Sequence, residues 1–246
     1  METNWRAEKG LEINNYQITF SRIDSKTTTE EQGRRAERLS LVKILDNKTS
    51  DHFLNICDEF HKNNQDFYYN KNKKFHTTLL GFPVADPVYY RVIKSKIEHY
   101  AEQKKLENMN VKFDNIRLGT KYQNSSTLDK VNGTSNGTII SFGSTEHNAV
   151  FTNFGNGLAR FLLDVRELMP VIGKKFRRRF PTVWCTMGYY TIDFKITNKL
   201  EALFSKYQVL DSHFSNITCY QLELGTSHYK DLRDWKRIQN FSLQTN

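Results

Sequence analysis

Long apolar runs are missing from this sequence of 246 residues. The run from Leu39 to Leu45 is interrupted by Lys43, and none approaches the roughly 20 apolar residues of a membrane-spanning helix. The first ten residues are polar and of mixed charge, without the apolar segment of a secretory signal. We therefore expect a soluble cytoplasmic protein that does not have a membrane as its partner.

Cysteine and proline are also scarce. Cys57, Cys185 and Cys219 lie far apart and form no Cys-x-x-Cys pair, which argues against a disulfide framework and a thiolate zinc site. No cluster of histidine and carboxylate residues has metal-ligand spacing and no cofactor motif occurs, so we predict neither a metal nor a cofactor. With 38% hydrophobic and 13% aromatic residues, the chain has enough apolar surface to bury a core.

Charge of one sign predominates, with a formal net charge of +9. A positive balance favours anionic partners through an attraction that salt screens. The partner that fits is an RNA terminus or a phosphorylated nucleotide. Nothing in the pattern indicates an obligate protein partner.

The periodicity of apolar residues predicts an α+β fold. Residues 1–37 are a polar N-terminal extension, and residues 38–243 form the domain. A helix, a strand, a second helix and further strands recur in two halves, roughly 38–150 and 151–243, which indicates duplication. No glycine-rich turn joins a strand to a helix, so a parallel doubly wound sheet fits less well. The predicted strands are 16–20, 39–45, 74–82, 111–118, 138–142, 181–191, 217–224 and 235–243. One predicted helix begins after an N-cap at Ser50, and the other predicted helices span 87–103, 158–168 and 198–209.

The triplet His76-Thr77-Thr78 lies inside a predicted strand. Period-two alternation places His76 and Thr78 on one face and Thr77 on the other. Imidazole exchanges protons near neutral pH, and a threonine hydroxyl can hold a phosphate oxygen. The alternative is a histidine whose hydrogen bonds are satisfied within a half-buried strand.

The segment from Phe75 to Phe82 resembles the first signature of the 2H phosphoesterase superfamily, which includes the LigT-like RNA 2′,3′-cyclic phosphodiesterases, also called 2′-5′ RNA ligase-like proteins. The segment from Phe180 to Tyr190 stands where the second signature is expected, and the one from Tyr220 to His228 resembles the final hairpin. This resemblance covers about residues 38–243. It implies two pseudo-symmetric lobes of antiparallel sheet with flanking helices around a central cleft, and it leaves open an exchange of strands between lobes.

One departure from the family pattern concerns the second His-x-Thr, which here reads Trp184-Cys185-Thr186. The resemblance implies metal-independent phosphodiester hydrolysis by two facing histidines, with His76 as the surviving one and with Thr78 and Thr186 orienting the phosphate. An indole N–H is a donor only, so it can neither accept nor deliver the proton. We expect activity reduced by about 10² to 10⁴-fold, the usual contribution of a positioned acid or base.

Two other features leave alternatives open. The literal His-x-Ser at His213 is a second candidate for the missing motif, although little chain follows it, and His228 could approach the rim of the cleft.

The basic run from Lys174 to Phe180 leads into the Trp184 strand. Its cations include Lys174, Arg177 and Arg179. They either bind phosphates beside a stacked base or belong to a solvent-exposed turn.

The sequence therefore predicts a 2H phosphoesterase-like protein acting on RNA ends or nucleotide cyclic phosphates. The alternative is a non-catalytic protein that uses the same cleft, with Trp184 as a stacking platform, to bind an RNA end or a nucleotide. A third interpretation is a structural protein with a disused cleft, which a fully packed Trp184 would favour.

Overall fold

The computed structural model describes residues 37–65, 67–82, 86–104, 108–119, 138–144, 146–168, 183–190, 198–228 and 232–243. Within these ranges, no helix combines the length and the apolar character needed to cross a membrane. The predicted strand at 16–20 and nearly all of the N-terminal extension lie outside the described residues, as does the basic run from Lys174.

The described elements alternate between helices and short strands along the chain. In order, they are β1 (Arg38–Ile44), α1 (Asn47–Asn63), β2 (Phe67–Tyr68), β3 (His76–Gly81), α2 (Pro87–Gln103), β4 (Met109–Lys112), β5 (Asn115–Gly119), β6 (Thr138–Gly143), α3 (Ala149–Leu163), a 3₁₀ turn (Arg166–Leu168), β7 (Val183–Tyr190), α4 (Asn198–Lys206), α5 (Ser212–Ser215), β8 (Asn216–Cys219), β9 (Gln221–Ser227) and β10 (Lys236–Ser242).

These strands form two four-stranded sheets and one two-stranded sheet. The first sheet has the order β10-β9-β1-β3, the second has the order β2-β7-β6-β5, and β4 pairs with β8. All of these pairings are antiparallel, which confirms the α+β class. Each four-stranded sheet combines strands from both halves of the sequence, because β9 lies beside β1 and β7 lies beside β6.

Helix α1 begins earlier than predicted. Its N-cap is Asp46, whose carboxylate accepts a hydrogen bond from the backbone N–H of Thr49 at 2.8 Å, so the prediction of a cap at Ser50 is wrong. Ser50 lies one turn inside the helix. The predicted apolar face is buried, with Phe53 and Phe60 both fully covered. Helix α1 therefore packs into the core as the periodicity indicated.

Two predicted strands are each divided in the structure. The strand predicted at 111–118 splits after Lys112, because β4 pairs with β8 whereas β5 pairs with β6. At the break, the backbone N–H of Phe113 donates to the carbonyl oxygen of Ser215 at 2.8 Å. The strand predicted at 217–224 splits at Tyr220, which is 56% exposed. In both cases, one continuous apolar pattern in the sequence forms two strands, and each strand pairs with a different partner.

Helix α3 starts at Ala149, nine residues before the predicted start at Leu158. Its first half contains Gly155, which lowers helix propensity and hides the pattern. Packing requires that glycine, because a Cβ atom there would lie 2.7 Å from Cδ1 of Leu79 on β3. The close approach seats α3 against the strand that carries His76.

Candidate functional site

The side chains of β3 alternate between core and surface as predicted. Thr77 is 1% exposed, whereas His76 and Thr78 are half-buried on the opposite face. Across the sheet, Ile44 pairs with His76 and Val42 pairs with Thr78. Imidazole and hydroxyl therefore project side by side from the face opposite to that of Thr77.

A backbone carbonyl orients the imidazole of His76. The Nδ1 atom lies 2.7 Å from the carbonyl oxygen of Lys74. A carbonyl oxygen only accepts, so Nδ1 carries the proton in this hydrogen bond. In the neutral ring the lone pair is then on Nε2, the form in which histidine acts as a base.

Strand β7 repeats this arrangement with a different first residue. Cys185 is fully buried, whereas Trp184 is 39% exposed and Thr186 is half-buried on the other face. The indole is therefore accessible rather than packed into the core.

Both strands contain an irregularity at the same position relative to the threonine. On β3, the register with β1 skips Leu79, the residue directly after Thr78. On β7, the register with β6 skips Met187, the residue directly after Thr186. A bulge inserts one residue and re-aims the side chains next to it. The two triplets thus stand at equivalent positions in two equally distorted strands.

The two triplets are in direct contact. The backbone N–H of His76 hydrogen-bonds to the thiol of Cys185, and β3 packs against β7. Burial raises the pKa of Cys185 to about 11, against the opposing influence of Lys73 and of this hydrogen bond. A neutral thiol of this kind has a structural role as a contact between the strands.

Lys73 is a further residue at this junction, and it was not predicted from the sequence. Its side chain is 9% exposed, and Nζ donates to the carbonyl oxygen of Thr186 at 2.7 Å and to that of Met187. The ammonium group also lies 4.2 Å from the ring centroid of Phe75. Lys73 thereby ties β7, at its bulge, to the residues that lead into β3. No local pattern identifies such a lysine, because its partners lie 113 and 114 residues away.

The other candidate histidines lie elsewhere. His213 is on the short helix α5, where Asp211 caps its backbone N–H at 2.7 Å, and Ser215 is 1% exposed. The His-x-Ser at 213–215 therefore occupies no strand and does not form a second motif. His147 follows β6 and contacts Asp114 at 3.0 Å.

His228 is too far from His76 to act with it. His228 follows Ser227, which pairs with Arg38 at the start of β1, whereas His76 pairs with Ile44 at its end. Six residues of strand separate these pairs, or roughly 20 Å. The Nδ1 atom of His228 lies 2.9 Å from a carboxylate oxygen of Asp234, which holds the ring at the hairpin.

A further cluster lies on the same face of the first sheet as Thr78. Glu223 and Thr78 both pair with Val42, so their side chains share a face. The indole Nε1 of Trp235 donates to Oε2 of Glu223 at 2.9 Å, and Nη1 of Arg237 lies 3.8 Å from Oε1. These residues were not predicted as site residues, because a contact across a hairpin leaves no signal in the periodicity of the sequence.

Among the predicted site residues, Lys174, Arg177 and Arg179 lie outside the described residues. The strand that carries His76 and Thr78 packs against the strand that carries Trp184 and Thr186. No group of three His, Cys, Asp or Glu residues suited to a metal ion occurs in the described part of the chain.

Comparison with known proteins is informative at the level of the fold. No family model and no curated protein matches the chain. Among solved structures, the chain is similar to the protein TT0787 of Thermus thermophilus, with a TM-score of 0.51 and 10% sequence identity. The match covers 85% of this chain and 98% of that one. At this identity, the similarity concerns the fold alone.

Proposed function

We propose that the touching strands β3 and β7 form the phosphate site of a 2H phosphoesterase-like protein that acts on RNA ends or nucleotide cyclic phosphates. The observation that carries the proposal is the matched geometry of the two triplets. In each, the first and third residues share one face, the second is buried on the other, and a bulge follows the threonine.

The same observation supports two pseudo-symmetric lobes. The residues opposite His76 and Thr78 are Ile44 and Val42 on the neighbouring strand, spaced two apart. The residues opposite Trp184 and Thr186 keep the same spacing on β6. Such a correspondence favours Trp184-Cys185-Thr186 as the second motif of a duplicated, LigT-like domain with a cleft between its halves.

The chemistry follows from what each group can do. His76, with the proton on Nδ1 held by Lys74, uses Nε2 to withdraw a proton from water or a terminal hydroxyl as it attacks phosphorus. Thr78 and Thr186 donate hydrogen bonds to phosphate oxygens and align the ester. The leaving oxygen then takes its proton from water, because the indole N–H of Trp184 does not ionise near neutral pH, and His76 returns its proton to the hydroxide that forms. A turnover reduced by about 10² to 10⁴-fold is the expected consequence.

A second candidate function is binding without turnover. It is favoured by Trp184, whose ring is 39% exposed at the position where the family has its second histidine. An accessible indole beside a phosphate site can stack on a base. The same exposure disfavours the interpretation of a disused cleft, which a fully packed indole would have favoured.

The test is an assay of the purified protein against a short RNA ending in a 2′,3′-cyclic phosphate, without added metal, scoring cleavage and binding together. We expect slow cleavage that is lost in His76→Ala, with the fold unchanged. A matched control is His99→Ala, which removes an exposed histidine from α2.

Each outcome decides between the candidates. Cleavage that survives in His76→Ala would contradict the catalytic assignment. Binding without cleavage in the unmodified protein would establish the non-catalytic alternative. Absence of both signals would reject the phosphate site at β3 and β7.

A further inference from the structure

The cluster of Glu223, Trp235 and Arg237 lies on the surface that carries His76 and Thr78, at the far side of the first sheet. Arg237 pairs with Gly225 and Glu223 pairs with Val42, so this face continues across β1 and β9 to β10. The proposed function uses none of these three residues. Their arrangement indicates a second binding position on the same face.

The indole of Trp235 is held in a defined place. Gly225 lies directly beneath it, since a Cβ atom there would come within 2.6 Å of Cζ2 and 2.8 Å of Cε2. The carboxylate of Glu223 accepts the indole N–H at 2.9 Å and is itself only 12% exposed, so it orients the ring rather than facing solvent. Trp235 is half-buried, so part of its surface remains exposed to solvent.

The guanidinium of Arg237 and the indole of Trp235 both interact with the carboxylate of Glu223. The side chain of Arg237 is 58% exposed, and its guanidinium lies 3.8 Å from Glu223, which is an ion-pair distance longer than a hydrogen bond. Guanidinium carries five N–H donors in a planar fork suited to phosphate. An oriented indole with an exposed arginine next to it is the combination that binds single-stranded nucleic acid through stacking and backbone contacts.

The distance from the phosphate site limits the ligand. Gly225 lies two strands away from Thr78, or about 10 Å, and is displaced by two residues along the strands, or about 7 Å. The separation is therefore about 12 Å. A mononucleotide does not reach that far from its phosphate to its own base, whereas the next nucleotide of an RNA chain does.

We propose that Trp235 stacks the base of a nucleotide upstream of the RNA end bound at Thr78 and Thr186, and that Arg237 binds a phosphate of the same strand. This inference rests on the proposed function and specifies its substrate class. The ligand is an oligoribonucleotide of at least two residues that crosses the first sheet from β3 to β10, rather than a free cyclic mononucleotide.

The experiment compares two ligands on the full chain: a cyclic 2′,3′-mononucleotide and a three-nucleotide RNA with the same cyclic end. Trp235→Ala should weaken binding of the trinucleotide by roughly tenfold or more, because a stacked base is lost, and should leave mononucleotide affinity unchanged. Trp235→Phe should retain most of the trinucleotide affinity. Arg237→Ala should reduce the salt slope for the trinucleotide by about 0.7, the contribution of one phosphate on a single strand.

The mononucleotide separates the possible failures. Equal loss for both ligands in Trp235→Ala would mean that the indole only holds the sheet together, and would overturn the inference. No loss for either ligand would overturn it as well, while leaving the phosphate site intact. If the unmodified protein binds neither ligand, the proposed function itself fails and the inference fails with it.

Discussion

Replacing Trp184 by histidine tests whether the second half of the proposed site is intact apart from one side chain. Position 184 has the same offset from Thr186 and its bulge as His76 has from Thr78. Lys73 holds this part of β7 through the carbonyl of Thr186. An imidazole at position 184 should therefore project toward the phosphate as His76 does.

The expected gain equals the contribution of a positioned general acid, about 10² to 10⁴-fold in rate. This corresponds to about 3 to 5 kcal/mol of activation free energy. The substitution also removes the buried part of the indole. Because 39% of Trp184 is already exposed, we expect the free energy of unfolding to fall by only about 1 to 2 kcal/mol.

The assay is single-turnover cleavage of an RNA with a 2′,3′-cyclic phosphate, measured as a function of pH. In Trp184→His the rate should rise and the pH profile should become bell-shaped, because one base and one acid must then be in opposite protonation states. Trp184→Phe is the matched control, since it keeps an aromatic ring without a group that exchanges protons. The double variant with His76→Ala should lose the gain.

A folded Trp184→His protein with an unchanged rate would refute the reasoning. It would mean that the second half no longer directs position 184 at the phosphate. The equivalence of the two bulges would then be a feature of the fold without a catalytic consequence.

Two further predictions concern the junction between the strands. Lys73→Met removes the ammonium donor from the part-buried carbonyl of Thr186 and leaves the buried carbonyl of Met187 with only the weak thiol donor of Cys57 at 3.6 Å, so the free energy of unfolding should fall by about 1 to 3 kcal/mol and affinity for the cyclic phosphate should fall with it. An unchanged affinity would show that Lys73 does not position Thr186. Burial raises the pKa of Cys57 to about 12 and that of Cys185 to about 11. Because both folded-state values exceed the ordinary value of 9.0, this contribution to stability is complete below about pH 9 and is lost as the pH rises further. Denaturant titrations from about pH 8 to about pH 10 should show a decline that the double variant Cys57→Ala, Cys185→Ala reduces but does not abolish, because burial also raises the pKa of Cys219 to about 11. An equal decline in that variant would contradict the assignment.

Local chemistry made several elements predictable. Helix α2 has the predicted bounds, because Pro87 suits the first turn and Asp86 caps the backbone N–H of Val88 at 3.0 Å. The face of β3 that carries His76 and Thr78 followed from period-two alternation. Where local signals were weak the predictions failed, as at Gly155, which suits close packing rather than helix propensity.

The sequence by itself determined which residues alternate on each strand and which helix faces are apolar, since these depend on backbone geometry over a few residues. Tertiary structure alone decided which strands are neighbours, that Lys73 reaches the carbonyl of Thr186, and that the indole of Trp235 rests on Gly225. It also placed Trp184 on a strand that packs against β3 and His213 on the short helix α5. The physical reason is that such contacts depend on how the chain folds back on itself, and residues brought together in this way leave no periodic signal of their proximity in the sequence.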